Sequence, residues 1–191
     1  MTSEGLAPSS ADLGSSAPTA DGLTVWLTGL PSSGKTTLAS GLADRLVAAG
    51  RRVEVLDGDV VRRDLTKELG YSRHDRAENV RRVGFVAHLL SRNGVVAICA
   101  LVSPYRQERD EVRALHRGRF AEVYLSAPLE VCAARDVKGL YARQRAGELQ
   151  GLTGVDDPYE APLEPDVVVP THLQTVEESV ATIWVAIAGR V

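Results

Sequence analysis

The sequence is short of cysteine, of net charge and of long apolar runs, and each shortage excludes a class of protein. Its two cysteines, Cys99 and Cys132, stand in apolar stretches without CxxC spacing, so we expect buried thiols in a reducing cytoplasm. No apolar run approaches the ~20 residues of a membrane span, and the N-terminal residues lack the basic start and apolar core of a signal peptide. Basic and acidic side chains number 22 and 25, and the net charge of −3 gives no support to nucleic-acid or membrane binding.

The sequence also lacks internal repeats and the histidine spacing of a metal site. We expect all four histidines to be structural or surface residues: His74, His88, His116 and His172. The 191 residues fit one domain of ordinary size. Residues 1–20 are rich in Ser, Ala, Gly and Pro and have almost no large apolar side chains. We therefore predict a disordered tail there, followed by one folded domain over residues 21–191.

Short apolar runs alternate with stretches of helical periodicity along the rest of the chain. The predicted strands cover residues 23–28, 52–56, 95–102, 122–125 and 166–169. The predicted helices cover residues 36–49, 72–92, 104–116, 128–135 and 175–188. Ser72 and Asp75 resemble a capping box, and Pro128 suits a first helical position. This alternation predicts an α/β fold in which helices cover both faces of a parallel sheet.

One stretch, residues 138–164, does not fit the alternation. It is polar, carries strong charge of both signs and has three further glycines after Gly139. Long loops of this kind in compact domains are often lids over a site, so we predict a mobile lid.

A glycine-rich stretch between the first predicted strand and the first predicted helix matches the phosphate-binding pattern GxxxxGK[ST] in full. It comprises Gly29, Leu30, Pro31, Ser32, Ser33, Gly34, Lys35 and Thr36. The glycines permit backbone angles that turn N–H groups onto a phosphate, and the following helix adds its positive dipole end. Lys35 is expected to reach the β- and γ-phosphates of a nucleoside triphosphate, and Thr36 to ligate Mg²⁺.

Two carboxylates, Asp57 and Asp59, follow the second predicted strand, which we predict to neighbour the phosphate-loop strand. A hydroxyl acceptor needs a base or orienting carboxylate and the metal needs oxygen ligands, so both acids could serve phosphoryl transfer. Arg62, one turn later, could hold an anionic substrate, whereas a solvated turn with an Asp cap is the alternative. There is no base-reading NKxD motif and no acid after strand 95–102. A small-molecule kinase is therefore favoured over a GTPase or a motor ATPase.

The long predicted helix carries an arginine on its apolar side. The apolar stripe consists of Val80, Val83, Ala87 and Leu90. Arg76 points along the same stripe, with Asn79 beside it, and a buried arginine needs a charged partner. That partner is either a bound anion or an internal carboxylate. Phe85 and Leu89 lie on the opposite face, which suggests that a partner subunit covers it.

Longer stretches of the sequence resemble the adenylylsulfate kinase (APS kinase) family, from about residue 23 to residue 187. They read GLPSSGKTT, LDGDVVR, LGYSRHDRAENVRRVGFVAHLL, ALVSPYRQERDEVR and APLEVCAARDVKGLYARQRAGELQGLTGVDDPYEAP. The last two are much more specific than a phosphate loop. The resemblance implies a P-loop kinase fold and transfer of the γ-phosphate of MgATP to the ribose 3′-hydroxyl of adenosine 5′-phosphosulfate (APS). The product would be 3′-phosphoadenosine 5′-phosphosulfate (PAPS).

The resemblance also implies roles for individual residues. Residues Gly29 to Thr37 and Arg135 would bind ATP, and Thr36 and Asp57 would hold Mg²⁺. Lys35 would be catalytic, and so would Asp59, as base or orienter at the acceptor hydroxyl. The APS site would comprise Asp59, Arg62, Tyr71, Arg76, Asn79, Val102, Ser103, Lys138, Gly151 and Leu152.

Ser103 is also a candidate catalytic residue, although direct in-line transfer needs no phosphorylated serine, and it is placed to cap a helix before Pro104. The resemblance further implies a lid that starts near Arg135 and Lys138 and closes over both nucleotides. It implies a homodimer, and association with ATP sulfurylase is kept open.

The sequence departs from the family pattern at the APS clamp and at residue 60. Many members clamp the APS adenine between two phenylalanines, where this chain has Tyr71 and Leu152. Leucine still packs on a base but loses the aromatic face, worth on the order of 1 kcal/mol, so weaker APS binding with intact chemistry is expected. Val60 stands where the family often has Asn.

Two other interpretations stay open. The chain could be a similar P-loop kinase that acts on another alcohol, such as a nucleoside or an antibiotic, because the altered clamp leaves room for it. It could also be a non-catalytic, nucleotide-binding regulatory subunit. The intact Lys35, Thr36, Asp57 and Asp59 argue against that second alternative.

Overall fold

Five parallel strands form one sheet at the centre of the domain. The structure is a computed structural model and describes residues 22–191, so the predicted tail at residues 1–20 lies outside the described residues. The strands are β1 (Thr24–Thr28), β2 (Val53–Asp57), β3 (Val96–Ala100), β4 (Phe120–Leu125) and β5 (Val167–Val169). Every pairing between them is parallel. The predicted parallel α/β sheet is therefore confirmed.

Helices connect the strands and cover both faces of the sheet. They are α1 (Lys35–Ala48), α2 (Gly58–Asp64), α3 (Arg73–Arg92), α4 (Arg106–Leu115), α5 (Leu129–Arg135), α6 (Leu140–Arg145) and α7 (Val176–Ile187). Side chains alternate along β1: Val25 and Leu27 pack with α1 and α7, whereas Trp26 packs with α3 and α4. This alternation is what a strand with both faces covered requires. No helix within residues 22–191 is long and apolar enough to cross a membrane.

The strand order corrects one prediction. We expected β2 to neighbour the phosphate-loop strand β1, but the order is β2-β3-β1-β4-β5, so β3 lies between them. The chain leaves β1 through α1 and returns as β2 two strand positions away. The later strand β3 fills the position between them. Asp57 at the end of β2 still lies level with Leu27 of β1, because both pair in register with Ala100. The acid therefore reaches the phosphate loop across one intervening strand.

The helix caps confirm some predictions and correct others. The Ser72 hydroxyl accepts a hydrogen bond from the backbone N–H of Asp75 and caps α3, as predicted. Pro128 is the cap of α5 and not its first helical residue. Ser103 caps no helix, because α4 begins only at Arg106.

The predicted lid, residues 138–164, packs more closely than its polar sequence suggested. It contains the short helix α6, and its side chains Tyr141 and Leu152 are buried together with Ala127 and Cys132 in a small third cluster. Cys132 and Cys99 are both buried free thiols, as expected. Burial raises the pKa of the Cys99 thiol, so it stays protonated and inert.

Candidate active site

A cleft of about 800 Å³ opens at the carboxyl ends of β1, β2 and β3 and is bounded on the far side by the lid segment. Ligands of open parallel sheets bind at this edge, because the loops that follow the strands meet there. Most of the predicted site residues line it: Pro31, Ser32, Gly34, Lys35, Thr36, Thr37, Asp57, Asp59, Arg62, Tyr71, Arg76, Asn79, Val102, Ser103, Arg135, Lys138, Gly151 and Leu152. Gly29, Leu30 and Ser33 form the inner part of the phosphate loop.

The phosphate loop depends on two of its glycines for different reasons. Gly34 adopts a left-handed conformation (φ 101°) at the start of α1, which L side chains rarely adopt. Gly29 (φ 156°) has a steric reason as well, because an added Cβ would lie 2.8 Å from the Leu125 carbonyl oxygen and 2.9 Å from Ser33 Oγ. Together they leave the loop open around the helix N-terminus, the geometry that binds phosphate.

Lys35 is folded back onto the loop. Its Nζ donates to the carbonyl oxygens of Gly29 (3.0 Å) and Leu30 (2.7 Å) and to Ser33 Oγ (3.3 Å). Burial lowers the pKa of Lys35 to about 7, and the nearby carboxylates Asp57 and Asp59 offset only part of that effect. An anion in the loop would supply the missing negative charge.

Thr36 and Asp57 form an oxygen pair suited to a divalent cation. Thr36 Oγ1 donates to Asp57 Oδ2 at 2.7 Å, while Asp57 Oδ1 accepts from the backbone N–H of Asp59 and caps α2. A hydroxyl beside a carboxylate fits the oxygen ligands that Mg²⁺ prefers. Within residues 22–191 no cluster of three or more His, Cys, Asp or Glu side chains could hold a metal by itself. Phosphate and water oxygens would therefore complete the shell.

Asp59 projects into the cleft from the first turn of α2 and forms an ion pair with Lys138 at the start of the lid. Both side chains are at least half exposed, so the pair contributes little to stability. It places a carboxylate and an ammonium side by side, opposite the phosphate loop.

Two arginines and an aromatic ring lie on the other side of Asp59. The guanidinium of Arg62 stacks over the Tyr71 ring, 4.5 Å from its centroid, and that of Arg76 lies 5.6 Å from it. Burial lowers the pKa of Arg62, although the group remains a cation. Asn79, one turn along α3, is buried and accepts a 2.7 Å hydrogen bond from the Thr66 hydroxyl.

Arg76 is buried, as its place on the apolar stripe predicted. Its Nε donates to the Tyr71 carbonyl oxygen, and its Nη2 donates to the Gly151 carbonyl oxygen at 2.6 Å. Asp157 adds a carboxylate at 3.4 Å. The charged partner is thus an internal carboxylate, which was the alternative to a bound anion, although Arg76 also lines the cleft.

Ser103 follows β3 in a left-handed conformation (φ 40°) and is buried. Its hydroxyl accepts from Trp26 Nε1 and donates to Thr28 Oγ1, both at 3.0 Å. Thr28 Oγ1 in turn donates to the carbonyl oxygen of Val102 at 2.8 Å. These bonds fix the backbone of the cleft wall at residues 102–103.

Known proteins resemble this chain over most of its length. A family model described as adenylylsulphate kinase matches residues 21–170. The adenylyl-sulfate kinase of Picosynechococcus sp. is 58% identical over 159 residues, which cover 83% of this chain and 89% of that protein. The adenylyl-sulfate kinase of Microcystis aeruginosa is 56% identical over 163 residues, which cover 85% of this chain and 90% of that protein. The chain belongs to the adenylylsulfate kinase family.

A solved structure extends the likeness to three dimensions. The APS kinase CysC of Mycobacterium tuberculosis, in complex with AMPPNP and APS, has a TM-score of 0.84 and 39% identity to this chain. The match covers 88% of this chain and 98% of that one. Fold and sequence therefore agree on the same kinase family.

The two residues at the family's clamp positions lie on separate sides of the cleft. Tyr71 is 62% exposed and borders the cleft, whereas Leu152 is 5% exposed and packs beside Tyr141 and Cys132. Gly151, next to it, is held by Arg76 through its carbonyl oxygen. Val60, the third unusual residue, is 49% exposed on α2 and does not line the cleft.

The structure brings in two groups that the sequence analysis missed. Thr171, after β5, accepts a hydrogen bond from Arg135 and donates through its hydroxyl to the Ser33 carbonyl oxygen at 2.8 Å. Arg109, on α4, is fully buried and donates to the carbonyl oxygen of Ser103 at 2.6 Å. Thr171 holds the phosphate loop from the edge of the cleft, whereas Arg109 holds the wall from behind. Only Arg109, a charged residue inside a helix that packs on the sheet, gave a sequence signal.

Proposed function

We propose that the protein transfers the γ-phosphate of ATP to the ribose 3′-hydroxyl of adenosine 5′-phosphosulfate, giving PAPS and ADP. One observation carries the proposal: a complete phosphate loop with Thr36 and Asp57 faces Asp59, Lys138 and two arginines across a single cleft. Phosphoryl transfer depends mainly on positioning and on stabilising charge, and such a cleft provides both.

The phosphate loop holds ATP. Residues 29–37 bind the phosphates through their backbone N–H groups, except Pro31, which has none, and the N-terminus of α1 adds its positive dipole end. The Lys35 ammonium leaves its loop carbonyls for the β- and γ-phosphates. Arg135 lies at the edge of the cleft beside Thr171 and contacts the nucleotide from that side. Thr36 and Asp57 hold Mg²⁺, which neutralises charge on the phosphate oxygens when bound.

Asp59 acts on the acceptor. Its carboxylate accepts the 3′-hydroxyl proton, or orients that hydroxyl for in-line attack on the γ-phosphorus. Before that step, the lid segment closes, and Lys138, which pairs with Asp59 in the structure, shifts toward the anionic substrate. The lid is therefore proposed to be mobile at its start, around Lys138.

APS is held on the far side of Asp59. Arg62 and Arg76 line the cleft and supply positive charge to its phosphosulfate, a dianion that planar guanidinium groups recognise well, while Arg76 keeps its ion pair with Asp157. Its adenine lies between Tyr71 and the Gly151–Leu152 segment. Asn79, Val102 and Ser103 complete the pocket, and the Ser103 hydroxyl serves as a fixed wall group because Trp26 and Thr28 already bind it.

Further properties follow as part of the same proposal. The protein acts in the cytoplasm and forms a homodimer. Phe85 is 51% exposed on the face of α3 turned away from the sheet, which suits a contact with a second copy. Association with ATP sulfurylase would supply APS directly.

PAPS formation from APS and MgATP, measured by separation of the nucleotides, tests the proposal. We expect turnover by the natural protein and its near-complete loss in Asp59→Ala. Asp64→Ala is the matched control, because Asp64 is an exposed acid on the same helix, and among residues 22–191 its one ion pair is with Arg63. Full activity in Asp59→Ala would refute the assigned role, and turnover of an unrelated alcohol without turnover of APS would refute the assigned substrate.

A further inference from the structure

A buried guanidinium lies directly behind the wall of the cleft. Arg109 is 1% exposed, and its three donor nitrogens bind three separate segments of the chain. Nε donates to Glu122 Oε1 on β4 at 2.8 Å, Nη1 to the Ser103 carbonyl oxygen at 2.6 Å and Nη2 to the Glu160 carbonyl oxygen at 2.6 Å. The carboxylate of Glu122 supplies the counter-charge that burial of an arginine requires.

Two of these three acceptors belong to segments that shape the acceptor side of the cleft. Ser103 is part of the wall, residues 102–104. Glu160 is part of a segment that we call the strap, residues 157–161, which continues from Gly151 and Leu152 at the other side of the APS pocket. Asp157, where the strap begins, binds Arg76. A shift of the strap would therefore move the lid side of the pocket relative to the wall.

Other bonds join the strap to the wall, and they cluster around Arg109. The backbone N–H of Glu160 donates to the Pro104 carbonyl oxygen, and the Glu160 carboxylate accepts from the backbone N–H of Arg106. The Tyr159 hydroxyl lies 3.0 Å from Thr28 Oγ1, which also binds the Val102 carbonyl oxygen. The guanidinium of Arg109 lies beneath the Tyr159 ring, 5.8 Å from its centroid.

We propose that Arg109 is a positioning residue for APS. Its planar fork fixes the wall and the strap at a set separation, and this separation defines the pocket that receives the acceptor nucleotide. Lysine could not replace it, because one ammonium on a flexible stem cannot satisfy three acceptors in fixed directions. The identity of the ligand in this inference rests on the proposed function. The mechanical link between wall and strap does not rest on it.

Steady-state kinetics of Arg109→Lys test the proposal. We expect the KM for APS to rise about ten-fold, because the variant loses a charge-assisted hydrogen bond that positions the pocket. The KM for ATP should change by less than about two-fold, because none of the three hydrogen bonds of Arg109 goes to the phosphate loop, residues 29–36. A purely structural ion pair would instead lower thermal stability and leave both KM values unchanged, or shift both alike. Either result would overturn the proposal.

Arg113→Lys is the matched control. Arg113 donates to the other oxygen of Glu122, at 3.1 Å, but in the described chain it makes no bond to the wall or the strap. It should lose some stability without a change in the KM for APS. A KM for APS that rose as much in Arg113→Lys as in Arg109→Lys would assign the effect to Glu122 and contradict our inference.

Hydrogen exchange of the ligand-free protein, followed by mass spectrometry, separates this inference from the proposed function. Arg109→Lys should exchange faster at residues 102–106 and 157–161 but not at the phosphate loop. Unchanged exchange in both segments would refute the link, whatever the substrate is. If the natural protein made no PAPS, the proposed function would be wrong. Hydrogen exchange at residues 102–106 and 157–161 would still show whether Arg109 links the wall to the strap.

A second variant covers the case in which Arg109→Lys does not fold. Tyr159→Phe keeps the ring near Arg109 and removes only the hydroxyl that contacts Thr28. We expect the KM for APS to rise about three-fold with the KM for ATP unchanged, in line with the loss of one neutral hydrogen bond. An unchanged KM for APS in this variant would count against the coupling of strap and wall.

Discussion

Lys35 is expected to take up a proton when a nucleotide binds at mildly alkaline pH. Burial lowers the pKa of Lys35 to about 7 in the ligand-free protein. A group with that pKa is about 90% neutral at pH 8 and about 90% protonated at pH 6. Bound phosphates favour the charged form and raise the pKa. Binding should therefore take up about 0.9 proton at pH 8 and only about 0.1 at pH 6.

The sign of the effect on affinity follows from the same linkage. Above pH 7 Lys35 is mostly neutral in the ligand-free protein and must gain a proton when the phosphates bind. The affinity for the nucleotide should therefore fall about ten-fold for each further pH unit. The charged groups around Lys35 are Asp57 and Asp59, which favour the ammonium, and Lys138, which opposes it. The buried Cys132 thiol has a raised pKa and stays neutral over this range.

Calorimetric titration with MgADP in two buffers of different ionisation enthalpy measures the proton uptake at pH 6 and at pH 8. Lys35→Arg is the control, because its guanidinium keeps the charge and does not titrate in this range. Uptake at pH 8 should disappear in that variant, after correction for the nucleotide's own protons. Equal uptake at both pH values in the natural protein, or full uptake retained in Lys35→Arg, would refute the reasoning.

Three further changes should have measurable effects. Leu152→Phe restores an aromatic face beside the proposed adenine site and should lower the KM for APS about five-fold with little change in kcat; an unchanged KM would show that the base does not lie there. Asp57→Asn removes one charge from the Thr36 pair and should raise the Mg²⁺ concentration needed for half-maximal activity at least about ten-fold, in a titration at fixed ATP. Gly84→Ala would set a Cβ 2.5 Å from Val112 Cγ2 between α3 and α4. Despite the better helix propensity of alanine, it should destabilise the fold by about 1–2 kcal/mol in urea unfolding, whereas Gly189→Ala, in open space, should not.

The strands, the start of α3 and the phosphate loop could be predicted from the sequence, because each depends on residues that are neighbours in the chain. The apolar runs placed the strands, the Ser72 cap started α3, and the spacing of the glycines, Lys35 and Thr36 identified the phosphate loop. The resemblance added the residues of the acceptor side, and the cleft brings them together.

What could not be predicted depends on contacts between distant parts of the chain. The place of β3 between β2 and β1 depends on which later strand fills the position that α1 skips. The partner of Arg76 is Asp157, which is 81 residues away, and Arg109 binds a carbonyl oxygen 51 residues away. The lid sequence holds several acids and gave no sign that Asp157 is the one that pairs with Arg76. The bond from Arg109 left no sign either, because a hydrogen bond to a backbone oxygen does not depend on the identity of the residue that supplies it.

The hydrogen bond from Thr171 to the phosphate loop has a practical consequence for anyone who shortens this protein. The matched family region ends at residue 170, one residue before the hydroxyl that holds the Ser33 carbonyl oxygen. Beyond it lie Gln174 and Thr175, which line the cleft, and α7, whose Ile183 and Ile187 pack in the core with α1. A shortened version cut at the family boundary would lose the hydroxyl that holds its phosphate loop, together with one of the two helices, α1 and α7, that pack on the same face of the sheet. Expression boundaries should therefore be drawn after α7.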